Sequence, residues 1–140
     1  MPTEGMVHAL HRAHGLLAPG GRLVDLHPSV ETARVEADGV SIGPLDAEQA
    51  DRRHAAADAA LARTLDAGLF AIESERAFWF WTYGDSIEEL RDHVHASWQH
   101  SRVGDPLIAR ARDAVRANRG TVLRIGEHVR ITRLRPADRR

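Results

Sequence analysis

The sequence predicts a small α/β protein, more closely described as α+β, with a small mixed sheet whose last strand runs antiparallel to its neighbours and whose faces are flanked by helices. Two observations predict it. Apolar residues recur at helical spacing in four segments, and they alternate or cluster as in strands in five others, with turn residues between the segments. At 140 residues the chain fits one domain, over residues 1–135, followed by a frayed tail at 136–140.

The N-terminal part is predicted to form one helix and three short strands. Residues 3–18 carry apolar side chains at helical spacing, and the turn at 19–21, Pro-Gly-Gly, ends that helix. The strand at 22–27 has closely spaced apolar residues, which indicates burial on both faces. The strands at 32–37 and 40–42 flank an Asp-Gly dipeptide, which is typical of a hairpin turn.

A long Ala-rich helix is predicted at 46–67. Asp46 begins it, and Gln49 three residues later completes a capping-box pattern. Gly68 stands where a helix-terminating glycine is expected, because glycine adopts the left-handed conformation at low cost. The helix should therefore end there.

The C-terminal half is predicted to contain two strands and two helices. The strand at 69–83 includes the run 78–81, Phe-Trp-Phe-Trp, whose apolar residues on both faces indicate a covered part of the sheet. Helices at 86–101 and 105–120 follow, the first with a Ser-x-x-Glu capping box. The last strand, at 121–134, alternates apolar and polar residues.

The composition excludes several classes of function. The formal net charge is -1, and all 19 basic residues are Arg, so neither nucleic acid nor a membrane surface is an expected partner. There is no Cys, and no signal peptide or transmembrane stretch is recognisable, so a cytoplasmic location is expected. Three histidines on the first helix, His8, His11 and His14, converge poorly, and no metal site is expected.

The segment from Leu16 to Leu26, Leu-Leu-Ala-Pro-Gly-Gly-Arg-Leu-Val-Asp-Leu, resembles one stretch of class I AdoMet-dependent methyltransferases. In that family a helix ending in a Leu-x-Pro-Gly-Gly turn leads into the fifth strand of a seven-stranded sheet. The resemblance implies the C-terminal half of a Rossmann-like methyltransferase fold, with the hairpin at 32–42 and the helix pair at 86–119 as insertions. Similar turns occur in unrelated α/β proteins, so an unrelated α+β domain is the alternative.

The part of the family fold that binds AdoMet has no counterpart in this sequence. Family members hold AdoMet with a glycine-rich loop after the first strand and an acidic residue after the second, and both precede the matching segment. The pair Gly20-Gly21 leads into a strand, so it cannot present helix N-terminal amides to a ligand. We therefore expect no catalytic and no cofactor-binding residue here, and AdoMet only if another chain supplies a missing half.

Three residues are candidates for the lining of a substrate pocket: Asp25, His27 and Tyr83. Asp25 and His27 share a face at a strand end, where a carboxylate can orient an imidazole. The alternative is a polar pair that only satisfies its own hydrogen bonds. Tyr83 ends the long strand and shares a face with Trp79 and Trp81, as a wall for a planar ligand or as packed core.

Two functions follow as hypotheses. The first is a binding or interaction module: a methyltransferase-like half-domain without its own AdoMet site, acting as a homodimer or a partner subunit, with a small molecule as a further class of ligand. The second is part of an AdoMet-dependent small-molecule methyltransferase, a truncated gene product or a subunit completed by another chain. The homodimer is expected because strand 22–27 would expose an unpaired apolar edge where the family has its fourth strand.

Overall fold

The computed structural model describes residues 2–138 and contains, within that range, four helices and five strands. In chain order these are α1 (Thr3–Leu16), β1 (Leu23–Pro28), β2 (Arg34–Ala37), β3 (Val40–Pro44), α2 (Glu48–Asp66), β4 (Phe70–Gly84), α3 (Ile87–Ser97), α4 (Asp105–Ala117) and β5 (Leu123–Pro136). Every predicted helix and strand is present, which confirms the α/β class. Among residues 2–138, no helix combines the length and apolar character needed to cross a lipid bilayer.

The strands form an open antiparallel sheet around β5. β1 pairs with the C-terminal part of β5, from Leu23 opposite Leu134 onward, and β2 pairs with its N-terminal part, where Val35 lies opposite Ile125. β3 extends β2 as a hairpin, and β4 also pairs with β5. The antiparallel last strand is confirmed. The predicted mixed sheet is wrong, because β1 and β4 both pair with β5, which runs opposite to them, rather than with each other.

The chain divides into two compact units, each with its own apolar core. The first unit comprises the residues up to Val30, Arg52–Phe78 and the residues from Val129 onward. The second comprises Glu31–Asp51 and Trp79–His128. The expectation of a single domain over residues 1–135 stays a prediction.

In the first unit, α1 and α2 cover one face of the sheet. Their leucines pack with apolar residues of β1, β4 and β5, and the cluster contains Leu10, Leu23, Leu61, Leu65, Phe70 and Leu134. Val24 and Leu26 alternate with Leu23, so they point to the other face, where they are 56% and 58% exposed. The prediction that this strand is buried on both faces is therefore wrong, because helices cover only one of them.

In the second unit, α3 and α4 cover one face of the sheet formed by β2 and β5. The largest fully buried side chains of this core are those of Val35, Leu90, Val94, Leu123 and Ile125. The burial predicted on both faces of 78–81 is wrong, since Phe78 and Phe80 of β4 are 43% and 55% exposed. Within the described strands β4 pairs only with β5, so its other edge has no partner strand.

Local signals for helix ends are partly confirmed. The Ser86 hydroxyl accepts a hydrogen bond from the Glu89 N–H at 3.1 Å, as the capping box predicts. Gly68, with a φ of 70°, ends α2. The capping box at Asp46 is wrong: α2 begins at Glu48, and the Asp46 carboxylate instead accepts from Arg102 at 2.7 Å.

The predicted tail begins as ordered structure. Pro136 is the last residue of β5, and the Ala137 N–H donates to the Leu69 carbonyl at 3.1 Å. The remaining predicted tail residues, at 139 and 140, lie outside the described residues.

Candidate functional site

The Asp25 and His27 side chains meet on the helix-covered face of β1. They are two residues apart on a strand, so they point the same way. The Asp25 Oδ2 lies 2.7 Å from the His27 Nδ1. The carboxylate orients the imidazole as the sequence predicted.

A second carboxylate, which the sequence analysis did not single out, holds the other nitrogen of the ring. Asp58 on α2 places its Oδ1 2.7 Å from the His27 Nε2. The hydrogen bond to Asp25 raises the His27 pKa most; burial opposes this, and Asp58 raises the pKa further. Because carboxylates only accept, the doubly protonated imidazolium satisfies this geometry best.

The charges continue from Asp58 across the first unit. Arg130 on β5 lies 3.3 Å from the Asp58 carboxylate and 2.9 Å from the Glu75 carboxylate on β4. Charged groups of alternating sign therefore link β1, α2, β5 and β4. Since both nitrogens of His27 are occupied, the imidazole has no lone pair free to take a proton from a substrate. The arrangement is therefore better suited to stabilising the contact between β1 and α2 than to acting as a general base.

Tyr83, the third candidate, belongs to the second unit, whereas Asp25 and His27 belong to the first. It is 59% exposed, and its hydroxyl oxygen accepts a hydrogen bond from the Arg124 Nη1 at 3.3 Å. That all three residues line one pocket stays a prediction.

A cluster of three charged residues, Glu36, Arg34 and Arg124, lies in the same unit as Tyr83 and is called the Glu36 triad below. The Glu36 side chain is only 3% exposed. Its Oε2 accepts from the Arg34 Nε at 2.9 Å, and its Oε1 accepts from the Arg124 Nε and Nη2 at 3.1 and 2.8 Å. Burial alone would raise the Glu36 pKa, but the hydrogen bonds from Arg124 and Arg34 bring it below its ordinary value. The carboxylate is therefore ionised.

Each guanidinium of the triad stacks on an indole ring. Arg34 lies 4.0 Å from the centroid of Trp79, and Arg124 lies 3.6 Å from the centroid of Trp81. The two indoles stack at 5.7 Å. A Cβ atom at Gly126 would overlap the Trp81 ring, so glycine leaves room for this packing. The cation–π contacts hold the arginines and tryptophans in place.

The sequence singled out the aromatic residues of this face but not its charged ones. The alternate positions of Trp79, Trp81 and Tyr83 were visible in one strand. Arg34 and Glu36 also alternate on a strand, which is the one signal that could have drawn attention to them. Arg124 is 88 residues from Glu36 along the chain, so its pairing is a tertiary property.

Two open clefts lie elsewhere in the second unit. One, of about 420 Å³, is bordered by residues between Pro44 and Asp46 and between Arg102 and Arg110. The other, of about 400 Å³, includes Arg91, Asp92 and His95 of α3. Asp25, His27 and Tyr83 border neither cleft.

The chain was compared with protein-family models, with curated proteins and with solved structures. None of the three comparisons finds a match. Within residues 2–138, no group of three or more His, Asp or Glu side chains is arranged to hold a metal ion. The chemistry of the sites therefore rests on the geometry of the residues themselves.

Proposed function

We propose that this chain is a non-catalytic interaction module, a methyltransferase-like half-domain that works as a homodimer joined through β1. One observation carries the proposal. Val24 and Leu26 are 56% and 58% exposed on a strand that, among the described residues, pairs on one side only. An apolar strand with a free edge pairs readily with another strand unless Lys, Pro or an inward charge prevents it. The inward charges of β1, Asp25 and His27, already satisfy each other.

The order and packing of the elements support the methyltransferase-like part of the proposal. The helix before the Pro-Gly-Gly turn, α1, leads into β1, and α2 leads from the hairpin into β4. The last strand runs antiparallel to its neighbours, as the resemblance implies. α1 and α2 pack in one cluster on a single face, so the other face of the first unit is open to a further element.

A second copy of the chain is the partner that the residues of β1 favour. Two antiparallel β1 strands with a two-fold axis at Leu26 bring Leu26 opposite its own counterpart. In the same register Asp25 lies opposite the other copy's His27, so a carboxylate faces an imidazolium. An axis at Asp25 would instead place two carboxylates opposite each other, which is unfavourable. A symmetric dimer satisfies both free edges at once.

Sedimentation velocity at micromolar concentration tests the proposal. The wild-type chain is expected at twice its mass of 15.5 kDa. Leu26→Glu places a charge in the centre of the interface and should yield a monomer. Val40→Glu is the matched control, because Val40 is 66% exposed on β3 and outside the interface. A wild-type monomer, or equal effects of the two variants with unchanged circular dichroism, would contradict the proposal.

The second function, one half of an AdoMet-dependent methyltransferase completed by another chain, is favoured by the same open face of the first unit. A complementary half would cover Val24 and Leu26 as well as a second copy would. The two functions predict different protein complexes. A partner chain that displaces the homodimer and confers AdoMet binding would favour the enzyme, whereas a stable homodimer that competes with such a partner favours the interaction module.

A further inference from the structure

We propose that the second unit binds a small planar organic anion, an aromatic or heteroaromatic carboxylate, at Arg124 and Tyr83. The site lies on the sheet face that carries the Glu36 triad. It uses no residue of β1.

The Glu36 triad holds two guanidinium groups in a set orientation. A buried ion pair often stabilises a fold less than apolar residues of similar volume, so the triad is a poor means of covering a sheet. The triad does hold the N–H donors of both arginines in fixed positions, because each oxygen of Glu36 binds one arginine and each guanidinium also stacks on an indole. Donors that are ordered before binding lose little freedom when a ligand arrives.

The charge of the triad is unequally compensated. Two guanidinium groups share the single carboxylate of Glu36, which leaves one excess positive charge. Glu31 lies 3.9 Å from the Arg34 Nη1 and offsets the charge at that end. Arg124 has no second carboxylate partner within the described part of the chain. With Glu31 counted, the two carboxylates balance the two guanidinium groups, but Arg34 lies near both carboxylates whereas Arg124 pairs only with the shared Glu36. The charge of Arg124 is therefore the less compensated of the two, and an anion is favoured beside it.

Of the hydrogen-bond donors left beside this charge, two adjoin each other: the second Nη1 proton of Arg124 and the Tyr83 O–H. The Nε and Nη2 of Arg124 donate to Glu36, while Nη1 donates one of its two protons to the Tyr83 hydroxyl oxygen at 3.3 Å. A phenol that accepts in this way keeps its own O–H to donate. The Arg124 side chain is 25% exposed and Tyr83 is 59% exposed. One carboxylate group can accept from both donors, with the added strength of a charged partner.

The surroundings of these donors favour a planar ligand. Trp79, Trp81 and Tyr83 share one face of β4. Tyr83 is 59% exposed, more than either Phe78 or Phe80 of the same strand. A flat ligand body gains contact with an exposed ring in stacked or edge-on geometry. An aliphatic anion would gain the charge interaction alone. An aromatic carboxylate gains both.

The indole N–H signals in an ¹⁵N-correlated NMR spectrum test the site directly. The chain has three tryptophans, and Trp98 packs against the core of the second unit, so it serves as an internal control. Benzoate should shift the Trp79 and Trp81 signals saturably and leave the Trp98 signal in place. Benzamide, which has the same shape without the charge, should bind at least tenfold more weakly.

Two variants separate binding from fold. Tyr83→Phe removes the hydroxyl and keeps the ring, and it should weaken benzoate binding about tenfold. Arg112→Gln, which removes an exposed arginine paired with Glu88, should leave the affinity unchanged. Equal binding of benzoate and benzamide, unchanged affinity in Tyr83→Phe, or no saturable shift with benzoate would overturn the proposal. A tetraglutamate peptide that shifts these signals where benzoate does not would also overturn it, in favour of an acidic protein segment.

Discussion

The imidazole of His27 lies between the carboxylates of Asp25 and Asp58, with a distance of 2.7 Å from each ring nitrogen to its carboxylate oxygen. Asp25 belongs to the same strand, and Asp58 belongs to α2, 31 residues away. One positive charge is thus shared by two negative ones at the contact between a strand and the helix that covers it. The contact is partly shielded from water, since the His27 side chain is 12% exposed.

Asp58→Asn should lower both the stability of the fold and the His27 pKa. The amide keeps the size of the side chain but removes the charge that faces Nε2. We expect a loss of about 1–2 kcal/mol in the free energy of unfolding, after allowance for partial exposure of the pair. Urea denaturation measures the loss, and an NMR titration measures the pKa. Asp113→Asn, at a carboxylate that is 73% exposed, should change neither quantity.

The contribution of His27 to stability should fall as the pH rises. Its pKa in the folded protein is raised above the ordinary value of 6.5, so the folded state binds the proton more tightly than the unfolded state does. The stabilisation is complete below the unfolded pKa and is lost as the pH rises through the folded pKa. Urea midpoints of wild type and His27→Asn from pH 5 to pH 9 should therefore converge at the alkaline end. A difference that stays constant with pH would contradict the charged imidazolium.

Gly126→Ala should destabilise the second unit. A Cβ atom at this position would overlap the Trp81 ring, and the ring is held by Arg124 on its face. Overpacking of this kind costs about 1–3 kcal/mol. The control is Gly15→Ala, since no atom lies within 4 Å of a Cβ at Gly15 in α1. There the same substitution should stabilise the protein by about 0.5–1 kcal/mol, because alanine favours a helix. Thermal unfolding distinguishes the opposite signs.

The purified chain should give no saturable heat on calorimetric titration with AdoMet. The expectation rests on the sequence, in which Gly20-Gly21 leads into β1 and does not open a helix. Titration with the same concentrations of adenosine provides the control for weak nucleoside binding. A one-to-one complex with micromolar affinity would contradict the absence of an AdoMet site and would favour the enzyme hypothesis.

Much of the local structure was predictable from the sequence, because the signals lie within a few residues. The Asp38-Gly39 turn, where both residues have positive φ, joins β2 and β3 as expected. Glycine at position 68 ends α2 for the same reason. The alternation of side chains on a strand placed Asp25 and His27 on one face, and this short-range geometry needed no knowledge of the rest of the chain.

The tertiary structure decided which faces are covered and which charges meet. Whether β1 is buried on both faces depends on where α1 and α2 pack, and the composition of a strand does not specify that. Asp58 reaches His27 across 31 residues, and Arg124 reaches Glu36 across 88. Such pairs arise from the register of β5 with its neighbours and from helix packing. The sequence alone therefore determined the elements, the class of fold and the pairing of Asp25 with His27, whereas the contacts of His27 with Asp58 and of Tyr83 with Arg124 followed only when distant segments came together.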